Sequence, residues 1–70
     1  MRFQVCSRFI GPLASFDTKE KARAALKEAI DTDAEDLVRH GIFTDAGYID
    51  APTHEQAAAH AAHYFFIEEV

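Results

Sequence analysis

The segment HAAHYFFIEEV, residues 60–70, admits two readings, and the fold turns on which one holds. As a helix it carries His60 and His63 one turn apart; as a strand it closes a small sheet with Tyr64, Phe65, Phe66 and Ile67. Aromatic and β-branched residues suit a pleated surface, and a helix continued through them would present apolar bulk around much of its circumference. The segment is therefore read as helix to His60 or Ala62, then strand over YFFIEEV. The alternative fold is an N-terminal sheet followed by a helical C-terminus.

Upstream, APTHEQAAAHAAHY starts that helix. Thr53 with Gln56 three residues on has the spacing of a reciprocal capping box, and the alanine run lets the backbone approach a sheet closely. IFTDAGYID reads as two very short strands around a turn, Gly47 supplying positive φ in a three-residue connection. Its competitor is an ordered loop in which Ile42, Phe43, Tyr48 and Ile49 plug the core.

Before it, DTKEKARAALKEAI has a capping pair in Asp17 and Glu20, and Ala22, Ala25, Leu26, Ala29 and Ile30 recur at helical spacing. Over DTDAEDLVRHG a bend or a separate short helix is expected, because Asp31, Thr32 and Asp33 compete for backbone hydrogen bonds; Gly41 is the exit. RFQVCSRFI alternates as a strand, with Phe3, Val5 and Phe9 on one side, and Gly11-Pro12 ends it. The order is then β-α-β-β-α-β. The expectation is an α+β domain over residues 1–70 with a ferredoxin-like arrangement: two helices over one face of a four-stranded antiparallel sheet, and a bend or extra helix after the first helix.

Seventy residues hold one core, and folding buries roughly 60% of the extended-chain surface at this size. Many of the apolar residues are alanines, so the six phenylalanines and two tyrosines are expected to supply much of the burial, and a homodimer is an open expectation. Cys6 is the single cysteine, which excludes an intrachain disulfide and favours a reducing, cytoplasmic setting. MRFQVCSRFIG resembles neither a signal peptide nor a membrane span.

Charge is distributed unevenly. Residues 1–30 hold six Lys/Arg against three Asp/Glu, residues 31–70 one against nine. Such a chain lacks the basic footprint that nucleic acid requires and presents a negative face to basic partners.

Several constellations are weaker than they first look. His54, His60 and His63 can share a helix face as ligands of a transition metal, but the sequence has no second cysteine and no His-Glu metal motif. Asp31, Asp33 and Glu35 imitate the opening of a calcium loop, yet Asp36 stands where the turn glycine belongs and Ile42 where the bidentate glutamate belongs. Asp45 and Asp50 around Tyr48 and His54 have ordinary turn roles, and Cys6 has no local base. Phe3, Phe9 and the YFF cluster can stack on RNA bases but lack dense basic charge around them. No catalytic, cofactor or metal residue is assigned, and an enzyme is not expected.

The functional expectation is a protein-binding regulator or inhibitor whose acidic surface engages a basic, nucleic-acid-processing protein. Asp31, Asp33, Glu35, Asp36 and Asp45 supply charge, and Phe43 and Tyr48 supply packed contacts. Phage-encoded inhibitors are one setting for that strategy, though no residue motif places the chain among them. A small-ligand or metal-responsive domain using the histidines or Cys6 is the alternative.

Overall fold

Arg2 and Val70 exchange reciprocal backbone hydrogen bonds of 3.0 and 2.9 Å, so the two chain ends lie side by side. The computed structural model describes all of Met1–Val70. Strand β1 (Phe3–Ser7) and the last strand, β5 (Phe65–Glu69), run antiparallel with Phe3 opposite Glu69 and Ser7 opposite Phe65. Residues 60–70 thus resolve as the end of a helix, a 3-10 turn at Ala62–Tyr64 and a strand.

The α+β class and the β-α-β-β-α-β order are present, with one strand added. That addition is β2 (Gly11–Phe16), a segment whose Gly11-Pro12 reads as a strand terminator in the sequence. It pairs antiparallel with β1 and makes the sheet order β2-β1-β5. Proline is tolerated on an edge strand, and a register shift beside Val5 and Cys6 leaves Leu13 as the extra residue of a bulge. The strands β3 (Ile42–Thr44) and β4 (Gly47–Ile49) pair only with each other. The expected four-stranded sheet is therefore replaced by a three-stranded sheet and a separate hairpin. A neighbour joined by a three-residue turn closes on β1 with little loop entropy, whereas three-residue strands from mid-chain offer few ladder bonds in return.

Helix α1 (Lys19–His40) is continuous, without the bend expected near Asp31. Ala22, Leu26, Ile30, Ala34 and Leu37 keep one stripe along its length. Packing that stripe outweighs the helix-propensity deficit of Asp and Thr, about 0.7 kcal/mol per residue at most. Its cap is also one residue later than expected: Thr18 Oγ1 accepts from Lys21 N–H at 3.2 Å, and Asp17 instead takes the Lys21 ammonium at 3.0 Å. Helix α2 (His54–Ala61) begins with the capping box read from the sequence, Thr53 and Gln56 each accepting from the other's backbone N–H.

Register assigns the sheet faces. Phe3, Val5, Ser7, Phe65 and Ile67 share the side that α1 packs against, whereas Gln4, Cys6, Phe66 and Glu68 share the other. Helix α2 lies along α1 rather than on the sheet, which corrects the expectation of two helices side by side over the strands. Ala34, Ala57 and Ile42 form the shared core there, with Leu37, Ile49 and Ala58 packed around them. Ala22, Ala34, Ala57 and Ala61 are buried outright, whereas Phe3, Phe16 and Phe65 are half-buried and Phe9, Phe43 and Phe66 exposed. The phenylalanines therefore contribute less burial than their number promises.

The molecule measures 41 × 18 × 14 Å and exposes 4998 Å². Area scaling gives about 4,400 Å² for a compact monomer of this mass. The excess follows from a 22-residue helix with the sheet towards one end and α2 with the hairpin towards the other.

Candidate partner-binding groove

The β1–β2 turn, Arg8-Phe9-Ile10, holds large apolar side chains where polar ones are usual. Phe9 is 79% and Ile10 77% exposed. The turn is nonetheless fixed: buried Ser7 Oγ accepts from Phe9 N–H at 3.2 Å and Ile10 N–H at 3.4 Å, and Arg8 N–H donates to Tyr64 O at 2.8 Å. Phe9 stacks on Tyr64 with ring centroids 5.0 Å apart, and Tyr64 meets His60 edge-on at 5.2 Å. These rings wall a hollow of about 370 Å³, closed on the α1 side by Leu37 and Asp33.

A second, more open hollow of about 420 Å³ runs along α1 beside Phe65. Its rim carries the carboxylates of Glu28, Asp33 and Asp36 around a floor of Ala25 and Ala29. Asp33 and Phe65 line both hollows, so the two are contiguous. None of these carboxylates is paired with a cation of the chain; the one ion pair is Lys21 with Asp17.

The residues singled out in the sequence fall into three groups. Asp33 and Asp36, three apart on α1, share the groove side. Asp31 and Glu35 line neither hollow; residues 31 and 33 lie roughly 200° apart around a helix, as do 33 and 35. The same geometry prevents the Asp31-Asp33-Glu35 run from converging on a cation. Phe43, Asp45 and Tyr48 gather on the hairpin, where the Phe43 and Tyr48 rings are cross-strand partners 4.7 Å apart and Asp45 is in the turn between them. Phe43 is 80% exposed, and the Tyr48 hydroxyl donates to His40 O at 2.6 Å, which closes the end of α1.

Elsewhere the candidates do not assemble. His54 opens α2 and is exposed, His60 faces the groove, and His63 is in the 3-10 turn; no three metal-ligating side chains converge. Cys6 is buried on the helix-free face of the sheet. Burial first, then the Glu68 carboxylate 3.9 Å from Sγ, pushes its thiol pKa up, which opposes the thiolate a nucleophile needs. Asp45 and Asp50 line neither hollow. Phe3 and Phe9 do not share a stacking platform: Phe3 faces α1 and Phe9 stacks on Tyr64.

Glu28, Phe9, Ile10, Tyr64 and Phe65 are groove residues that the sequence reading left out as partner contacts. The available signal was Phe9-Ile10 immediately before Gly11-Pro12, two large apolar residues at a turn. No helix is long and apolar enough to cross a membrane. No protein-family model, curated protein or solved structure matches the chain.

Proposed function

We propose that the chain is a small cytoplasmic regulator or inhibitor that binds a basic protein of the nucleic-acid-processing kind through its acidic surface. The observation that carries this reading is the absence of internal neutralisation: nine Asp/Glu and one Lys/Arg occupy residues 31–70, and no ion pair involves any of them. Unpaired carboxylates around a partly apolar groove attract Lys/Arg-rich surfaces and repel phosphate. A partner whose basic groove is occupied by this chain loses access to nucleic acid. The exposed Phe43 and Tyr48 pair supplies apolar contact that charge alone does not.

The test is affinity capture from a cell extract followed by calorimetry on the purified pair. A basic partner is expected whose affinity falls as salt rises and which nucleic acid displaces. Failure to recover a specific partner with folded protein, or recovery of one indifferent to salt, overturns the reading. Self-association belongs to the same proposal; sedimentation equilibrium checks it, a single monomeric species over the concentration range counting against a homodimer.

A further inference from the structure

We infer that the two contiguous hollows along α1 form one docking groove for a partner segment in which a Lys or Arg stands next to a large apolar residue. The inference rests on the acidic-surface reading and specifies where on that surface the partner is seated.

Glu28, Asp33 and Asp36 rim the open hollow without a cation of the chain's own. Phe9, Tyr64 and Leu37 line the adjoining one. Because Asp33 and Phe65 belong to both, a cation and an apolar side chain on neighbouring residues can occupy them together. The volumes, about 420 and 370 Å³, fall within the range of ligand clefts, on the order of 300–1,000 Å³.

Preorganisation separates this surface from an ordinary loop. The turn bearing Phe9 and Ile10 is held by Ser7 Oγ and by the Arg8 to Tyr64 backbone bond, and the Phe9 ring rests on Tyr64, so little backbone freedom is left to lose on binding. Charge selects the occupant. A second copy of the chain brings a net charge of −5, which disfavours it at the rim as against a Lys/Arg-rich segment, and nucleic acid brings phosphates, which the rim repels. A basic protein segment is attracted.

A random linear peptide library displayed against the folded full chain supplies the probe, and the best enriched peptide is synthesised and titrated into ¹⁵N-labelled protein. Enriched peptides are expected to pair Lys or Arg with a neighbouring large apolar residue and to shift the amides of Phe9, Ile10, Asp33, Leu37 and Phe65. Ile10→Ser and Asp33→Asn are each expected to weaken binding about tenfold, as removal of a central contact does. Ile10 is exposed and Asp33 is unpaired, so both variants should give the parent fold's spectrum. Absence of enrichment, peptides without a cation, shifts confined to Phe43 and Tyr48, or concentration-dependent shifts at the groove without peptide each overturn the inference. If a captured basic protein binds Ile10→Ser as tightly as the parent but still responds to salt, the groove fails and the acidic-surface reading stands. If no basic protein binds, that reading itself fails.

Discussion

Cys6 shows how a residue's neighbours outweigh its type. Its side chain is 2% exposed although no helix covers that face, and burial followed by Glu68 raises the thiol pKa above the ordinary 9.0. Alkylation by iodoacetamide is therefore expected to be slower than for an unfolded control at the same pH, and Glu68→Gln should speed it by lowering the pKa; equal rates in Glu68→Gln and the parent would contradict this. The sign for stability follows. A raised folded pKa contributes stability that is complete below the unfolded value and lost as pH rises through the folded one, so a parent-minus-Cys6→Ala difference in unfolding free energy should shrink above pH 9.0. Asp17 behaves oppositely. Its hydrogen bond to Lys21 lowers its pKa below 3.8, so its contribution is present above that value and lost in more acid solution. Both side chains of that pair are over 60% exposed, at 63% and 68%, and its effect is correspondingly weak.

At the scale of elements, caps and close approaches set the sensitive positions. Thr53→Ala removes the hydroxyl of the α2 capping box and should cost about 1 kcal/mol in urea unfolding. Gly41→Ala should cost more, about 2–4 kcal/mol, because φ is 85° and a Cβ would run into the Tyr48 hydroxyl that caps α1. Ala57→Leu, fully buried where α2 meets α1, is expected to cost about 1–3 kcal/mol through overpacking, with the same measurement as the check. Much of this level was legible in advance. Thr53 with Gln56, the Phe43–Tyr48 pairing, the positive φ of Gly47 at 125° and the strand after Tyr64 all follow from local chemistry. The hairpin connection is shorter than read, two residues, with Thr44 Oγ1 donating to Gly47 O and accepting from Ala46 N–H to hold it. β2 was not legible, because a Gly-Pro pair looks like an end unless one knows the strand lies on an edge.

For the molecule as a whole, an extended shape with few buried residues predicts uneven stability. Amides of β1, the central strand, should exchange most slowly, and those of β3 and β4 should exchange early because a lone two-stranded hairpin has little cooperative support. Hydrogen exchange followed by NMR checks this; equal protection in β1 and the hairpin would refute it. The same shape explains the groove. The β1–β2 turn and the 3-10 turn at Ala62–Tyr64 meet beside the second half of α1, although residues 9, 33 and 64 are far apart in the chain. No local pattern reveals that juxtaposition.

Periodicity, caps and charge counts by themselves determined where α2 begins and, to within one residue, where α1 does, favoured a strand over helix after Tyr64, and placed the excess negative charge in residues 31–70, because each depends on neighbours within about one helical turn or on composition alone. Tertiary structure alone decided that β2 rather than the hairpin flanks β1, that α1 passes unbroken through Asp31-Thr32-Asp33, and that Asp33 and Asp36 border a groove. Those outcomes are competitions between distant surfaces for burial, and the winning contact is set by the assembled chain.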